Sequence, residues 1–254
     1  MKKTSIIILL FSISLLANAE NANVYLDTFK LANEAYKTAK YEEAIMLYKQ
    51  VLANDYESSE LYYNLGNAYY KTKDLTNAIL YYQKALRLNP TNEEIKFNLR
   101  LANLRIIDKI EPLPELFFTQ WWNSLIYAKS TDGWGWMSIE SLFLCFLLAV
   151  GFMLTDSLML KKLAFYVGIL SLIVSVLCFV LGKQQKDELI NQNKAIVFAQ
   201  SLTVRSSPDE KGTQLFVIHE GTKVEMLETV GEWTKIKIVN GNTGWVKIEI
   251  LSPI

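Results

Sequence analysis

Between Lys162 and Lys183 the chain runs for twenty residues, Leu163 to Gly182, without a charged side chain. A helix rising about 1.5 Å per residue crosses the roughly 30 Å hydrocarbon core of a bilayer in that length. Residues 163–182 therefore read as a transmembrane helix. Ser141 to Thr155 is a second uncharged stretch, fifteen residues between Glu140 and Asp156. It becomes a full span over 138–158 if Glu140 and Asp156 sit at the headgroups; a re-entrant or surface-lying helix is the alternative. Trp121, Trp122, Trp134 and Trp136 come just before it, where an aromatic belt is expected at the water boundary. The reading is a multidomain membrane protein, with soluble pieces before and after a transmembrane helical hairpin.

Composition removes several classes of function. Lys plus Arg and Asp plus Glu both number 26, and a zero net charge offers no concentrated positive surface for nucleic acid. The single histidine, His219, and the two cysteines, Cys145 and Cys178, which lie inside the apolar blocks, supply no zinc site, disulfide framework or Cys–His nucleophile pair. No Gly-rich phosphate loop is present. No catalytic residue, cofactor or metal is expected, and the chain reads as a non-enzyme. Cys145 and Cys178 are taken as packing residues of the spans, with a redox pair as the minor alternative.

Residues 1–19 have the layout of a secretory signal: Lys2 and Lys3, then apolar Ile6 to Leu16, then Ala17-Asn18-Ala19 as a cleavage site. An uncleaved anchor helix is the alternative. With an exported front and two spans, the turn Asp156–Lys162 is cytoplasmic and the tail returns to the outside. Lys161 and Lys162 agree with the positive-inside bias, while Lys183, Lys186 and Lys194 pull the other way.

The front half repeats itself. Residues 25–58 and 59–92 share nine identities at an offset of 34, among them Asn33/Asn67, Tyr36/Tyr70, Lys37/Lys71 and Tyr48/Tyr82. Period and pattern are those of the tetratricopeptide repeat, two antiparallel helices per unit, here spread over residues 20–110. Gly66 and Ala78 are small enough to let the paired helices approach, and Pro90 ends the second helix. Lys73 stands at the turn where glycine is usual, and Tyr56 replaces the terminal proline of the first unit. Residues 93–110 repeat the first helix once more, with Phe97-Asn98-Leu99 under Tyr63-Asn64-Leu65, and cap the array before Pro112 and Pro114. The resemblance implies partner binding along the first helices, with the ligand-facing positions at Phe29, Asn33, Tyr36, Lys37, Tyr63, Asn67, Tyr70 and Lys71. Amides would pair with an extended peptide backbone and the lysines would hold a carboxylate; the alternative is that these are exposed consensus positions. Phe29 stands where the clamp of some chaperone adaptors has lysine.

Between repeat and membrane, residues 111–137 are aromatic and contain Pro112 and Pro114. Phe118, Trp121, Trp122 and Leu125 form one helical stripe, suited either to the bilayer surface or to a membrane partner.

Residues 195–254 are short β-rich runs punctuated by Gly212, Gly221, Gly231, Asn240-Gly241-Asn242 and Gly244, the spacing of a small all-β barrel. Leu202, Val204, Arg205, Ser206 and Pro208, then Gly221 and Val224, Gly231, Trp233, Lys235 and Ile236, and finally Gly244 to Val246, resemble the bacterial SH3 domain. That likeness implies binding to cell-wall peptides or to proteins. Trp233 and Trp245 either floor a peptide groove or fill the barrel core, and the sequence leaves both open.

Taken together, the order of parts resembles the BatE proteins of the aerotolerance operons found in many Gram-negative bacteria. The most telling local piece is Ala102-Asn103-Leu104-Arg105 through Asp108-Lys109-Ile110, followed by Pro112-Leu113-Pro114 and the Trp121-Trp122 helix. The resemblance implies a scaffold in the bacterial inner membrane with both soluble domains periplasmic. Its implied partners are the membrane-anchored von Willebrand A-domain proteins of the same operon, with peptidoglycan as an alternative ligand.

Overall fold

A computed structural model describes residues 26–114, 116–190 and 193–254; the leader read at 1–19 lies outside the described residues. The chain divides into two compact units. One joins the helical front to the β-rich tail, and the other is formed mainly by residues 112–193.

In the first unit, α1 (described over 26–37) and α2 (Tyr41–Leu52) form one helix pair, α3 (Ser59–Lys71) and α4 (Leu75–Leu88) the next, and α5 (Glu93–Asn103) stands alone. Side-chain caps fix the starts of α3, α4 and α5. Ser58 accepts from the Leu61 amide at 3.0 Å, Asp74 from the Asn77 amide at 3.1 Å, and Asn92 from the amides of Glu94 and Ile95. The turn inside each pair requires a left-handed residue. Ala39 has φ +60° and Lys73, 34 residues on, has φ +68°, so Lys73 adopts the conformation glycine would adopt more cheaply. Gly66 is needed for close approach: a Cβ there would meet the Tyr82 ring at 2.7 Å and the Ala78 carbonyl at 3.3 Å.

The tail is an antiparallel sheet of β1 (Lys194–Val197), β2 (Leu202–Arg205), β3 (Gln214–Ile218), β4 (Lys223–Val230), β5 (Trp233–Lys237), β6 (Thr243–Lys247) and β7 (Leu251–Pro253). Its order is β3-β2-β6-β5-β4-β1-β7. Val204, Ile236 and Val246 are fully buried at its centre.

Repeat array and sheet share a strand. Along β1, Ala195 and Val197 point into the barrel core, whereas Ile196 between them is fully buried in the core of the repeats, with Ile254 packed beside it. Side chains alternate across a strand, so β1 serves two cores at once. The capping segment expected over 93–110 is helical only to Asn103. Beyond it the chain runs to the barrel, where Ile110 packs on the barrel core. Asp108 accepts from the His219 amide at 2.7 Å, from His219 Nδ1 at 2.8 Å and from Thr222 Oγ1 at 2.6 Å. Burial works to raise the Asp108 pKa, but the bonds from Thr222 and His219 outweigh it and hold the carboxyl below its usual value. Lys223 Nζ donates to Gln83 at 2.7 Å, and Arg87 donates to the Ile254 carbonyl at 2.5 Å. Gly221, at φ +85°, has Ile106 where a Cβ would stand.

The second unit contains α6 (Phe117–Ile126), α7 (Thr131–Leu154) and α8 (Leu158–Ile190). Among the described residues, two stretches are long and apolar enough to cross a membrane, Thr131–Leu154 and Leu158–Glu188. They pack as an antiparallel hairpin along a seam of small residues. Ser138 Oγ donates to the Ser175 carbonyl at 3.0 Å, Ser175 Oγ to the Ser138 carbonyl at 2.8 Å, and Ser171 Oγ to the Ser141 carbonyl at 2.6 Å. That register places Cys145 near Gly168, ten residues or about 15 Å along α8 from Cys178. The cysteines are therefore too far apart to form a redox pair.

Candidate functional site

The 34-residue period reappears as a repeated hydrogen-bond pattern on the first helices. Asn33 Oδ1 accepts from Tyr48 Oη at 2.6 Å and from Asn64 Nδ2 at 3.1 Å. One period later, Asn67 Oδ1 accepts from Tyr82 Oη at 2.8 Å and from Asn98 Nδ2 at 2.9 Å. Each tyrosine bridges its own helix pair and each second asparagine bridges to the neighbouring first helix. Burial raises the pKa of Tyr48 and Tyr82, so both hydroxyls stay protonated donors.

The consequence is directional. With two bonds already received, Asn33 and Asn67 have their carbonyl ends occupied, and what they can still present is N–H. Lys37 and Lys71 on the same helix faces are also donors. Lys37 pairs with Glu34 at 2.8 Å across an exposed turn, a contact too well solvated to hold it firmly. Lys71 is exposed. Tyr70 lies under the Arg105 guanidinium, 4.7 Å from the ring centroid, a cation–π contact. Tyr63 is half-buried and accepts from Asn98 at 2.9 Å. Tyr36 is half-buried against Tyr41, and Phe29 leans on the Tyr48 ring at 5.9 Å. A face built from donors and cations suits a ligand of acceptors: peptide carbonyls and carboxylates.

Asn64, Asn98, Arg105 and Phe97 were not among the ligand-facing positions read from the sequence. The signal was available, since Phe29–Tyr63–Phe97 and Lys37–Lys71–Arg105 are the same 34-residue step taken once more. Asn64 and Asn98 stand one residue beyond the aromatic position and bond to the first helix of the preceding pair.

On the barrel, Trp233 pairs with Lys247 and Lys235 with Trp245 across β5 and β6, so the four side chains share one face, opposite core-facing Thr234, Ile236 and Val246. Lys247 lies over the Trp233 ring at 5.9 Å and Lys235 over Trp245 at 6.0 Å. Glu210 takes Lys247 at 2.7 Å and approaches Arg205 at 3.7 Å. Neither tryptophan belongs to the core cluster. Trp245 is nonetheless only 8 % exposed, whereas Trp233 is half-buried and the more accessible ring.

A family model described as tetratricopeptide repeat matches residues 29–93, and one described as bacterial SH3 domain matches residues 200–249. No curated protein matches the chain. The front is thus a tetratricopeptide-like array, a type of module that binds proteins, and the tail matches an SH3-like domain of a kind associated with cell-wall binding.

Proposed function

We propose that this protein is a non-catalytic inner-membrane adaptor whose repeat face binds an extended, carboxylate-bearing segment of a protein partner in the periplasm. The observation that carries this reading is the donor-only column formed by Asn33, Asn67, Lys37, Lys71 and Arg105, with no acceptor left facing outward on the two asparagines. Two spans with both soluble domains in one compact unit favour an even number of crossings between them, which keeps array and barrel in one compartment. The likeness to BatE proteins points to a Bat-type complex linked to aerotolerance or envelope stress, with membrane-anchored von Willebrand A-domain proteins as partners. Phe29, Tyr36, Tyr63 and Tyr70 supply the apolar floor of the face. In-cell crosslinking of the full-length protein tests it: wild type captures the partner, Lys71→Glu with Arg105→Glu does not, and undiminished capture by the variant rejects the groove.

A second reading, a cell-wall sensor, rests on Trp233 with Lys247 on the outward face of β5 and β6, with Trp245 lining the same face. Because Ile196 of the barrel completes the repeat core, the test uses the full-length protein in detergent and not the barrel alone. Co-sedimentation with purified sacculi that is lost in Trp233→Ala supports the sensor; equal sedimentation of both proteins, or of neither, removes it.

A further inference from the structure

The aromatic helix α6 is fixed at one end of the helical hairpin. Trp134 Nε1 donates to the Ile126 carbonyl at 2.9 Å, and Tyr127 Oη to Glu188 at 2.9 Å. Gln185, itself fully buried, donates to the Lys129 carbonyl at 3.0 Å and accepts from Thr131 Oγ1 at 3.0 Å. Burial and the Glu188 bond push the Tyr127 pKa up to about 12. This is the end of α8 where charge returns, at Lys183, Lys186, Asp187 and Glu188, and so the level of the water boundary.

At that level α6 presents Phe117, 83 % exposed, Phe118, Trp121, 66 % exposed, and Trp122. At 100° per residue these four cover an arc of about 140°, with Thr119, Gln120, Asn123 and Ser124 on the remaining side. No charged residue occurs from Leu116 to Ala128; the next residue is Lys129. The exposed apolar surface of α7 begins at the same end, with Trp136, Ile139 and Phe143.

We infer that α6 lies in the headgroup layer of the bilayer, its aromatic arc turned to the acyl chains and its polar side to water. The occupant of the exposed arc is lipid. The arc continues the lipid-facing surface of the hairpin, its Trp and Phe content is what the boundary region favours, and Lys129 follows where phosphates lie. The inference rests on reading α7 and α8 as spans.

The test is spin labelling of full-length protein in phospholipid nanodiscs, with Cys145→Ala and Cys178→Ala as background. Labels at Phe118→Cys and Trp121→Cys should collide with oxygen, relative to a water-soluble nickel chelate, several-fold more than one at Lys211→Cys on the barrel. They should sit shallower than one at Phe146→Cys, and Ser124→Cys should stay open to nickel. If positions 118 and 121 match position 211 while position 146 stays deep, the spans hold and this inference fails. If 118 and 121 are immobilised and shielded from both reagents, a protein covers the arc and the inference also fails. If 146 is open to nickel, the membrane reading itself falls. A measurement without the cysteine background uses lipids brominated near the headgroup. They should quench wild-type tryptophan fluorescence more than that of Trp121→Phe with Trp122→Phe; equal quenching overturns the assignment.

Discussion

The α3–α4 pair and the α7–α8 pair are both antiparallel helix hairpins, yet their seams are built from opposite materials. Between α3 and α4, large rings close over a small backbone: Tyr82 lies on Gly66, and Tyr69 stacks on Tyr81 at 5.5 Å and 2°. Between α7 and α8 the seam is Ser138, Ser141, Ser171 and Ser175, bonded to facing carbonyls, with Gly168 and Gly182 nearby. In water, burying a tyrosine ring is itself the driving force. In lipid that drive is absent, and close backbone approach with hydrogen bonding takes its place. With α7 and α8 read as spans, the solvent decides which residues make a seam.

The first way to test this contrast is at the strand that serves two cores. Ile196→Asp puts a charge into an apolar site and should cost at least about 3–5 kcal/mol, read as collapse of the urea midpoint for array and barrel together. Loss of the barrel alone would show that the array does not need β1. Next, Gly66→Ala should cost about 1–3 kcal/mol by overpacking against Tyr82, whereas Gly135→Ala in α7, where nothing lies within 4 Å of the added Cβ, should leave thermal unfolding in detergent unchanged.

The third prediction concerns pH. Burial lowers the Lys223 pKa to about 8, with Lys194 adding to the effect. The folded state therefore releases this proton near pH 8 and the unfolded state only near 10.5, so between those values the unfolded state binds more protons and stability rises with pH. The urea midpoint should climb from pH 8 to about 9.5, below the range where tyrosines titrate. Lys223→Met should flatten that slope; an unchanged slope would mean the lysine is solvated. Asp108 gives a slope of the same sign in the acid range. Its depressed pKa adds stability that is lost as pH falls through the carboxylate range.

Smaller again, Lys73→Gly should stabilise the array by about 1 kcal/mol by relieving the left-handed turn. Gly at Ala39, the equivalent position, should do the same. Smallest, Ser175→Ala should cost about 0.6 kcal/mol, measured by steric-trap or detergent unfolding of the hairpin. A cost as large as that of Gly66→Ala would contradict the contrast between the two seams.

Much of the repeat face was legible because it is periodic. Asn33 and Asn67, Tyr36 and Tyr70, and Lys37 and Lys71 recur at one spacing, and a repeated helix pair carries its side chains to repeated places. What the period could not say is which end of each asparagine is used. The bonds from Tyr48 and Tyr82, fifteen residues away, turn an apparently two-sided amide into a donor. The tryptophans teach the same lesson in the sheet. Alternation along β5 and β6 puts Trp233 and Trp245 on one face, but the Lys235 overlay and nearly complete burial of Trp245 depend on register between strands.

By itself, the sequence determined the local elements: the two apolar helices from uninterrupted hydrophobicity, the helix pairs from a 34-residue period, and the barrel strands from alternation and glycine spacing. These are short-range patterns, set by how a backbone turns and which side chains one face can hide. Only the tertiary structure decided that Ile196 leaves its own barrel for the repeat core and that Asp108 binds His219 and Thr222, 111 and 114 residues away. No periodicity links such positions. Their meeting follows from two incomplete apolar surfaces, the open end of the array and the outer side of β1, each of which excludes water only against the other.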